Sequence, residues 1–547
     1  MAKIKSAGDI YFLRYSWYSY LGGIITEICQ KHKTNLSRKG ESEMINIGQR
    51  REVFFDDYLI DTDKTTAEIR IHRPVRQKEI VMTMDAPCEF RSMSYFHIVK
   101  GTSCYQAYYV CRGNTGPYHI CYAESDDCMS WRKPKLGICE YEGSKDNNII
   151  IMSKHPIEEL TAFDNIKVMY DENPACPANE KYKATLAWCG HKTLAYLLSE
   201  DGIHWRWGGV VTTEGEFDSH NLAIWDRHNE RYLAYFRDEH LPDETVPFMD
   251  KSFVPKKIQM FYDPERGMYK PPAKEDEEGV YFSRDIAIVE SKDFKTWTHA
   301  RKMTFGPETP DYQLYTNAVM PYPRADHIFV GFPTRYIERK AWTPTYDELC
   351  GKEKRKERII RQEPREGLAL TDCAFMVSRD GYLFKRYDEA FMIPNPENPS
   401  SWVYGDCYPA PYLLETASDI EGADNEFSIF MSEADKVEQV KIYRHTIRLD
   451  GFVSRHAGGE EKILITKPFI FEGDKLFVNL ETSARGSAYF TLRGEDGETF
   501  ESYEIFGNSV NKRIHFTDDN IKILAGKPVV LEIKLHDADI YSLKFEA

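Results

Sequence analysis

Strand-like runs recur along the chain at His119–Ala123, Thr193–Leu198, Ile286–Glu290, Ala374–Val377 and Lys441–Ile447. Short runs rich in β-branched and aromatic residues, bounded by turn formers, predict strands rather than helices. The first four lead into one recurring box. Ser125-Asp126-Asp127-Cys128-Met129-Ser130-Trp131 returns as Ser199-Glu200-Asp201-Gly202-Ile203-His204-Trp205 and as Ser291-Lys292-Asp293-Phe294-Lys295-Thr296-Trp297. It returns again as Ser378-Arg379-Asp380-Gly381-Tyr382-Leu383-Phe384, and Arg448-Leu449-Asp450-Gly451-Phe452 is a degenerate fifth copy. A strand ending in Ser-x-Asp, then a tight turn, then an aromatic residue opening the next strand is a hairpin signal. The Ser and Asp side chains can bond the turn's own amides.

Five copies of one strand-rich unit predict an all-β fold, a five-bladed β-propeller followed by a C-terminal β-sandwich. The boundaries read as 1–43 for an N-terminal extension, 44–455 for the propeller and 456–547 for the sandwich. Lys39-Gly40-Glu41 lies just before Met44, and its codons can form a purine-rich ribosome-binding stretch, so Met44 is the expected start. The fifth box lacks its aromatic partner strand, and Glu52–Ile60 is the expected N-terminal strand that closes the ring. Asp56 and Asp57 within it are expected to be structural. Past Phe452, Lys475–Leu480, Ala488–Leu492, Val529–Leu535 and Tyr541–Phe545 alternate between turn residues, as sandwich strands do. Helix is expected only around Tyr346–Arg361.

Composition narrows the partners. The formal net charge of −16 argues against nucleic acid, whose phosphates need clustered Lys and Arg. The basic run Lys352–Arg361 is interrupted by glutamates and reads as a solvated segment. No apolar run is long enough to span a membrane. Twelve cysteines without zinc-type spacing suggest free thiols in the cytoplasm, with no metal and no cofactor expected.

In a propeller the inner strand of each blade begins, and the second ends, at one face of the channel. That geometry gathers Glu89, Asp218, Asp238, Asp311, Asp406 and Glu433 as candidate catalytic carboxylates. Asp146-Asn147-Asn148 is the corresponding expectation for the second blade. His220, Asn221, Arg237, Arg335, Tyr315 and Asn317 are the candidate substrate-binding residues. Phe248 and Trp342, on long inserts, are candidate stacking surfaces. Glycosidic bond cleavage requires such a set, because one carboxylic acid protonates the leaving oxygen while a carboxylate attacks or activates water.

The Ser-Lys-Asp-Phe-Lys-Thr-Trp box at 291–297 resembles the blade signature of the five-bladed propeller glycosidases, the superfamily that includes glycoside hydrolase families 32, 43, 68 and 130. Phe55-Asp56-Asp57-Tyr58-Leu59-Ile60 and Asp537-Ala538-Asp539-Ile540-Tyr541-Ser542 are similar to a group of bacterial family-32-like proteins. The resemblance covers roughly residues 50–547 and implies the propeller-plus-sandwich layout. It departs from family 32 in lacking the Trp-x-Asn-Asp-Pro motif. Arg237-Asp238-Glu239 is the one near match to Arg-Asp-Pro, and it stands at a strand end. Fructosidase activity is therefore not expected, and the box is one residue shorter than a sialidase Asp-box. The expected activity is a glycoside hydrolase acting on an oligosaccharide or glycoside. The alternatives are a glycoside phosphorylase and a non-catalytic sugar-binding propeller.

Overall fold

The computed structural model describes residues 44–547 except 90–94, 113–117, 241–260, 264–267, 271–282, 307–308, 311, 340–341, 362–366 and 434–439. Five separate sheets form in chain order, antiparallel except for the Thr304–Phe305 edge of the fourth, which pairs in parallel. Blade 1 holds His97–Lys100, Tyr105–Arg112, Tyr118–Ser125 and Ile149–Ile151; blade 2 holds Phe163–Tyr170, Tyr182–Trp188, Thr193–Ser199 and Trp205–Thr212. Blade 3 is Leu222–Asp226, Arg231–His240, Ser283–Ser291 and Arg301–Lys302. Blade 4 runs Met320–Tyr322, Ala325–Gly331, Met376–Ser378 and Leu383–Arg386, with Thr304–Phe305 at its outer edge. Blade 5 is Leu414–Thr416, Glu426–Glu433, Lys441–Arg448 and Val75–Thr83.

Five apolar cores close the ring, each joining two successive blades. Tyr108 and Val110 meet Val168 and Leu197 between blades 1 and 2, and Leu194 meets Phe236 and Val289 between blades 2 and 3. Ile224 and Ile288 meet Val319 and Phe329 between blades 3 and 4, and Val330 meets Ile429 between blades 4 and 5. Phe430 and Ile442 meet Ile98 and Tyr109 between blades 5 and 1. Alternate side chains of each strand point to opposite neighbours, so one apolar strand serves two cores.

The closing strand differs from the expectation. Val75–Thr83, not Glu52–Ile60, pairs with Lys441–Arg448 and completes blade 5. Glu52–Val53 instead pairs with Ser542 and Leu543. The reason lies in the charges: Asp56 takes both ends of the Arg379 guanidinium at 2.7 and 3.0 Å, and Asp57 takes Lys385 and Arg455 at 2.7 and 2.6 Å. These partners tie residues 52–57 between blade 4 and the C-terminal sheet. That sheet network has ten strands, three of them from Ile45–Ile71, and its long members Lys475–Gly494 and Val529–Glu546 each absorb two of the shorter expected strands.

The boxes are turn scaffolds. In the third, Ser291 Oγ accepts the Phe294 N–H at 2.9 Å, and Asp293 accepts the Lys295 and Thr296 N–H groups at 2.8 and 2.7 Å. The fourth box position is left-handed in each of the first four boxes, at Cys128, Gly202, Phe294 and Gly381. The backbone bonds hold the Asp293 carboxyl below its ordinary range. Asp293→Ala is expected to lower stability by about 1 kcal/mol in urea unfolding and to leave function unchanged, as loss of a comparable cap does.

The expected helix is present as Pro344–Glu348 and Lys352–Arg361. It is inserted between Thr334–Glu338 and Ala369–Cys373, a two-stranded ribbon that extends blade 4 past the mouth.

Candidate active site

An inner strand has one edge without a sheet partner, and its backbone groups need others. Side chains from other blades supply them. Val168 N–H donates to His97 Nε2 at 2.8 Å, Lys167 Nζ donates to the Tyr95 carbonyl at 3.0 Å, and Tyr412 OH donates to the Val168 carbonyl at 3.1 Å. Tyr412 and Val168 belong to blades 5 and 2, which are not neighbours. Tyr95 and His220, leading into blades 1 and 3, also meet, with ring centroids 5.2 Å apart. Side chains from opposite sides of the ring thus touch across its axis.

Around this centre the chain enters four blades by the same device. A left-handed, non-glycine residue adjoins a polar one at Asp164-Asn165, Phe217-Asp218, Asn317-Ala318 and Asp406-Cys407. The positive φ values are 58°, 55°, 43° and 57° at Asn165, Phe217, Ala318 and Cys407. Such conformations cost about 1–3 kcal/mol each and cluster at functional sites, where surrounding structure enforces them.

Asp164 was not foreseen. Asp146-Asn147-Asn148, the segment expected there, leads into Ile149–Ile151, the outer strand of blade 1, and Asp146 is exposed and paired with Lys135 at 2.8 Å. The signal was present, since Phe163-Asp164-Asn165 repeats the aromatic-Asp-polar order of Phe217-Asp218-Ser219. Asp164 and Asp218 both act on the Tyr95 hydroxyl and on the Cys189 thiol, whose pKa burial and these two charges raise to about 11. Asp218 is exposed.

Next to them lies a cluster of tyrosines. Ser219 Oγ and Arg237 Nη2 both donate to the Tyr315 carbonyl, and the Arg237 guanidinium stands 4.6 Å over the Tyr315 ring. The Tyr315 ring stacks between Tyr336 and Tyr408, at 5.7 and 5.6 Å, and its hydroxyl accepts from Tyr404. Gly405 and Asp406 follow directly. Asp218 adjoins Ser219 and Asp406 lies two residues past Tyr404, so two acidic residues flank members of this aromatic cluster in sequence.

Asp406 has a distinctive setting. Its Oδ2 accepts the Val403 N–H at 3.0 Å, and Thr371 Oγ1 donates to its carbonyl at 2.7 Å. Burial, helped by the charge of Glu433 and opposed by the Val403 and Trp402 amides and by Arg355, raises its pKa to about 7. A carboxyl so placed holds a proton near neutrality, as a general acid must.

His220 is 1% exposed, and neither ring nitrogen has a partner among the described residues. Burial, then the charges of Lys167, His97 and Arg237, keeps its pKa well below the ordinary imidazole value. Asn317 Nδ2 donates to the His220 carbonyl at 2.9 Å and Asn221 Nδ2 to the Phe217 carbonyl at 2.8 Å, and each leaves its side-chain oxygen unpartnered. Burial lowers the Lys167 pKa to about 7, against the pull of Asp164.

Other expected residues have partners or placements of their own. Glu89 is 1% exposed and tied to Tyr109 OH and Lys133 Nζ, each at 2.6 Å, and to Asn148, so its oxygens serve the outer part of blade 1. Glu433 forms a bidentate pair with Arg76 at 2.7 and 2.9 Å, on the outer strand of its own blade. Arg335 is clamped on Asp372 of the paired strand at 2.6 and 2.5 Å. Asp238 faces Asp285 in register, on the strand face shared with Ala234 and Phe236 toward blade 2, whereas Arg237 faces blade 4. Trp342 stacks on Tyr346 within the helical insert. Asp311 and Phe248 lie outside the described residues.

Among the described residues no group of His, Cys, Asp and Glu side chains could hold a metal, and no helix is long and apolar enough to cross a membrane.

This chain is a five-bladed propeller. No protein-family model matches it, and no curated protein sequence does. Solved structures resemble it in general architecture. One is from the GH130 family of mannoside phosphorylases, which contains glycoside hydrolases that target β-1,2 mannosidic linkages, with TM-score 0.40, 10% identity and coverage of 70% of this chain and 97% of that one. An N-acetylgalactosamine deacetylase from F. plautii gives TM-score 0.38 and 11% identity over 69% and 95% of the two chains. A Bombyx mori GH32 β-fructofuranosidase gives 0.31 and 9% over 83% and 94%.

Proposed function

We infer that the protein is a glycosidase that cleaves an oligosaccharide or glycoside at this mouth. The observation that carries the reading is Asp406, a carboxyl with a pKa raised to about 7, on the loop whose Tyr404 bonds Tyr315, the residue that Ser219 beside the exposed Asp218 also bonds. Asp406 would donate its proton to the glycosidic oxygen as the bond to the leaving group breaks. Asp218 would attack the anomeric carbon or take a proton from the attacking water, with Asp164 beside it. The unpartnered nitrogens of neutral His220 and the oxygens of Asn221 and Asn317 are suited to sugar hydroxyls.

A panel of aryl glycosides, assayed with and without inorganic phosphate, tests this. Hydrolysis independent of phosphate is expected. Turnover only with phosphate would make the protein a phosphorylase, and binding without turnover would make it a sugar-binding propeller. The acid must be protonated, so kcat/KM is expected to fall as pH rises through about 7. A pH profile flat from 5 to 9 would remove Asp406 from the reaction.

A further inference from the structure

The helical insert of blade 4 is docked on the loop of blade 5 that carries Asp406. Arg355, 3% exposed, reaches out of the helix Lys352–Arg361 and donates from Nη2 to the Trp402 carbonyl at 2.7 Å. Its Nη1 lies 3.4 Å from the Gly367 carbonyl, and the Tyr346 ring is 5.5 Å from the guanidinium. Trp402 packs against the insert's own core of Tyr346, Leu349, Ile359 and Leu368. The loop held in this way is strained: Trp402, Gly405 and Cys407 all have positive φ, at 60°, 111° and 57°. Trp402 and Cys407 carry side chains that disfavour this conformation, so neighbouring contacts must enforce it. Arg355 supplies one such contact, at the first strained residue, and its charge acts on Asp406.

We propose that Arg355 is a positioning residue that, by holding the Trp402 carbonyl, keeps the 402–407 loop in its strained form and fixes the Val403 N–H that donates to Asp406. The proposal rests on Asp406 being the acid of the reaction. The other groups that act on that carboxyl are Glu433, itself paired to Arg76, the amides of Val403 and Trp402, and Cys407 on its own loop, while the Thr371 hydroxyl bonds the Asp406 carbonyl. Arg355 is a cation among the described groups that act on it. An insertion remote in sequence from the mouth would thus tune the acid, and a change in the insert would reach the chemistry through one side chain.

The test uses Arg355→Gln, which keeps a donor for the Trp402 carbonyl but no charge, and Arg355→Lys, which keeps the charge. In Arg355→Gln the descending limb of the kcat/KM profile is expected to move to higher pH, because a cation that acts on the Asp406 carboxyl is lost. KM should stay within about twofold, as expected when substrate contacts are untouched. Arg355→Lys should return the limb to its original place. A folded Gln variant with an unmoved limb, or a Lys variant that behaves like Gln, overturns the proposal. A readout independent of turnover separates it from the function itself. The difference in Tm between each protein and its Asp406→Asn counterpart, followed against pH, reports the Asp406 titration directly. If that curve moves in Arg355→Gln but no glycoside is ever cleaved, the glycosidase reading fails and the positioning role stands. If it does not move, the positioning role fails.

Discussion

Asp406→Asn is expected to lower kcat by about 10²- to 10⁴-fold and, above pH 7, to raise Tm. The first effect follows from losing a general acid, whose usual contribution is of that size. The second follows from linkage. The folded carboxyl has its pKa raised from 3.8 to about 7, chiefly by burial. Between those values the unfolded chain has already released the proton and the folded chain still binds it. Stability therefore falls as pH rises through this window, and above it the folded state carries the full cost of a buried, ionised carboxylate. Asn cannot ionise and removes that cost. The two changes together, activity lost and stability gained at alkaline pH, mark a group kept for chemistry at the expense of stability. Thermal melts of both proteins at pH 5 and pH 8.5 check it, and equal Tm differences at the two values would contradict the assignment.

The largest loss of stability is expected at Asp450, in the degenerate fifth box. Its carboxylate is fully buried and takes Arg51 at 3.2 Å, Arg324 at 2.9 Å, Tyr322 OH at 2.5 Å and Ser542 Oγ at 2.7 Å. These partners come from the N-terminal segment, blade 4 and the final strand, so one side chain joins the ring to the C-terminal sheet. Burial opposes its charge, and Arg51, Arg324 and the two hydroxyls more than offset this, leaving the pKa below the ordinary aspartate value. Asp450→Ala would leave two guanidinium groups facing each other without the shared anion. A cost of about 3–5 kcal/mol is expected, the usual price of breaking a buried ion pair from one side. Because the folded pKa is depressed, the stabilisation is present above the unfolded aspartate value and is lost as pH falls below it. Chemical denaturation at pH 7 should show the loss. Asp450→Asn should recover part of it, since Asn479 and Ser542 stand within reach of its position.

The boxes were legible because turn chemistry is local. Ser291, Asp293 and the amides they bond lie within six residues, so the sequence pattern and the structure are one statement. The positions of Asp218 and Asp406 in the fold were legible for a related reason, since each precedes an inner-blade strand at a recognisable place in the repeat. Asp164 followed the same rule and was obscured by the more conspicuous Asp146-Asn147-Asn148. The roles of Glu89, Glu433 and Arg335 were not legible. Their partners Lys133, Arg76 and Asp372 lie 44, 357 and 37 residues away along the chain and meet them only after the sheets have formed.

Ring closure divides the two kinds of information. That the chain would build five similar strand units was determined by short-range hydrogen bonding and by hydrophobic runs of strand length. Which N-terminal strand would close the fifth sheet was decided by tertiary structure, through Arg379, Lys385 and Arg455, which hold Asp56 and Asp57 between blade 4 and the C-terminal sheet. The types of candidate acid could be read from composition and order. The raised proton affinity of Asp406 is set chiefly by burial, against the Val403 and Trp402 amides, with smaller contributions from Glu433 and Arg355. Burial and these charges depend on distances between segments that only folding brings together.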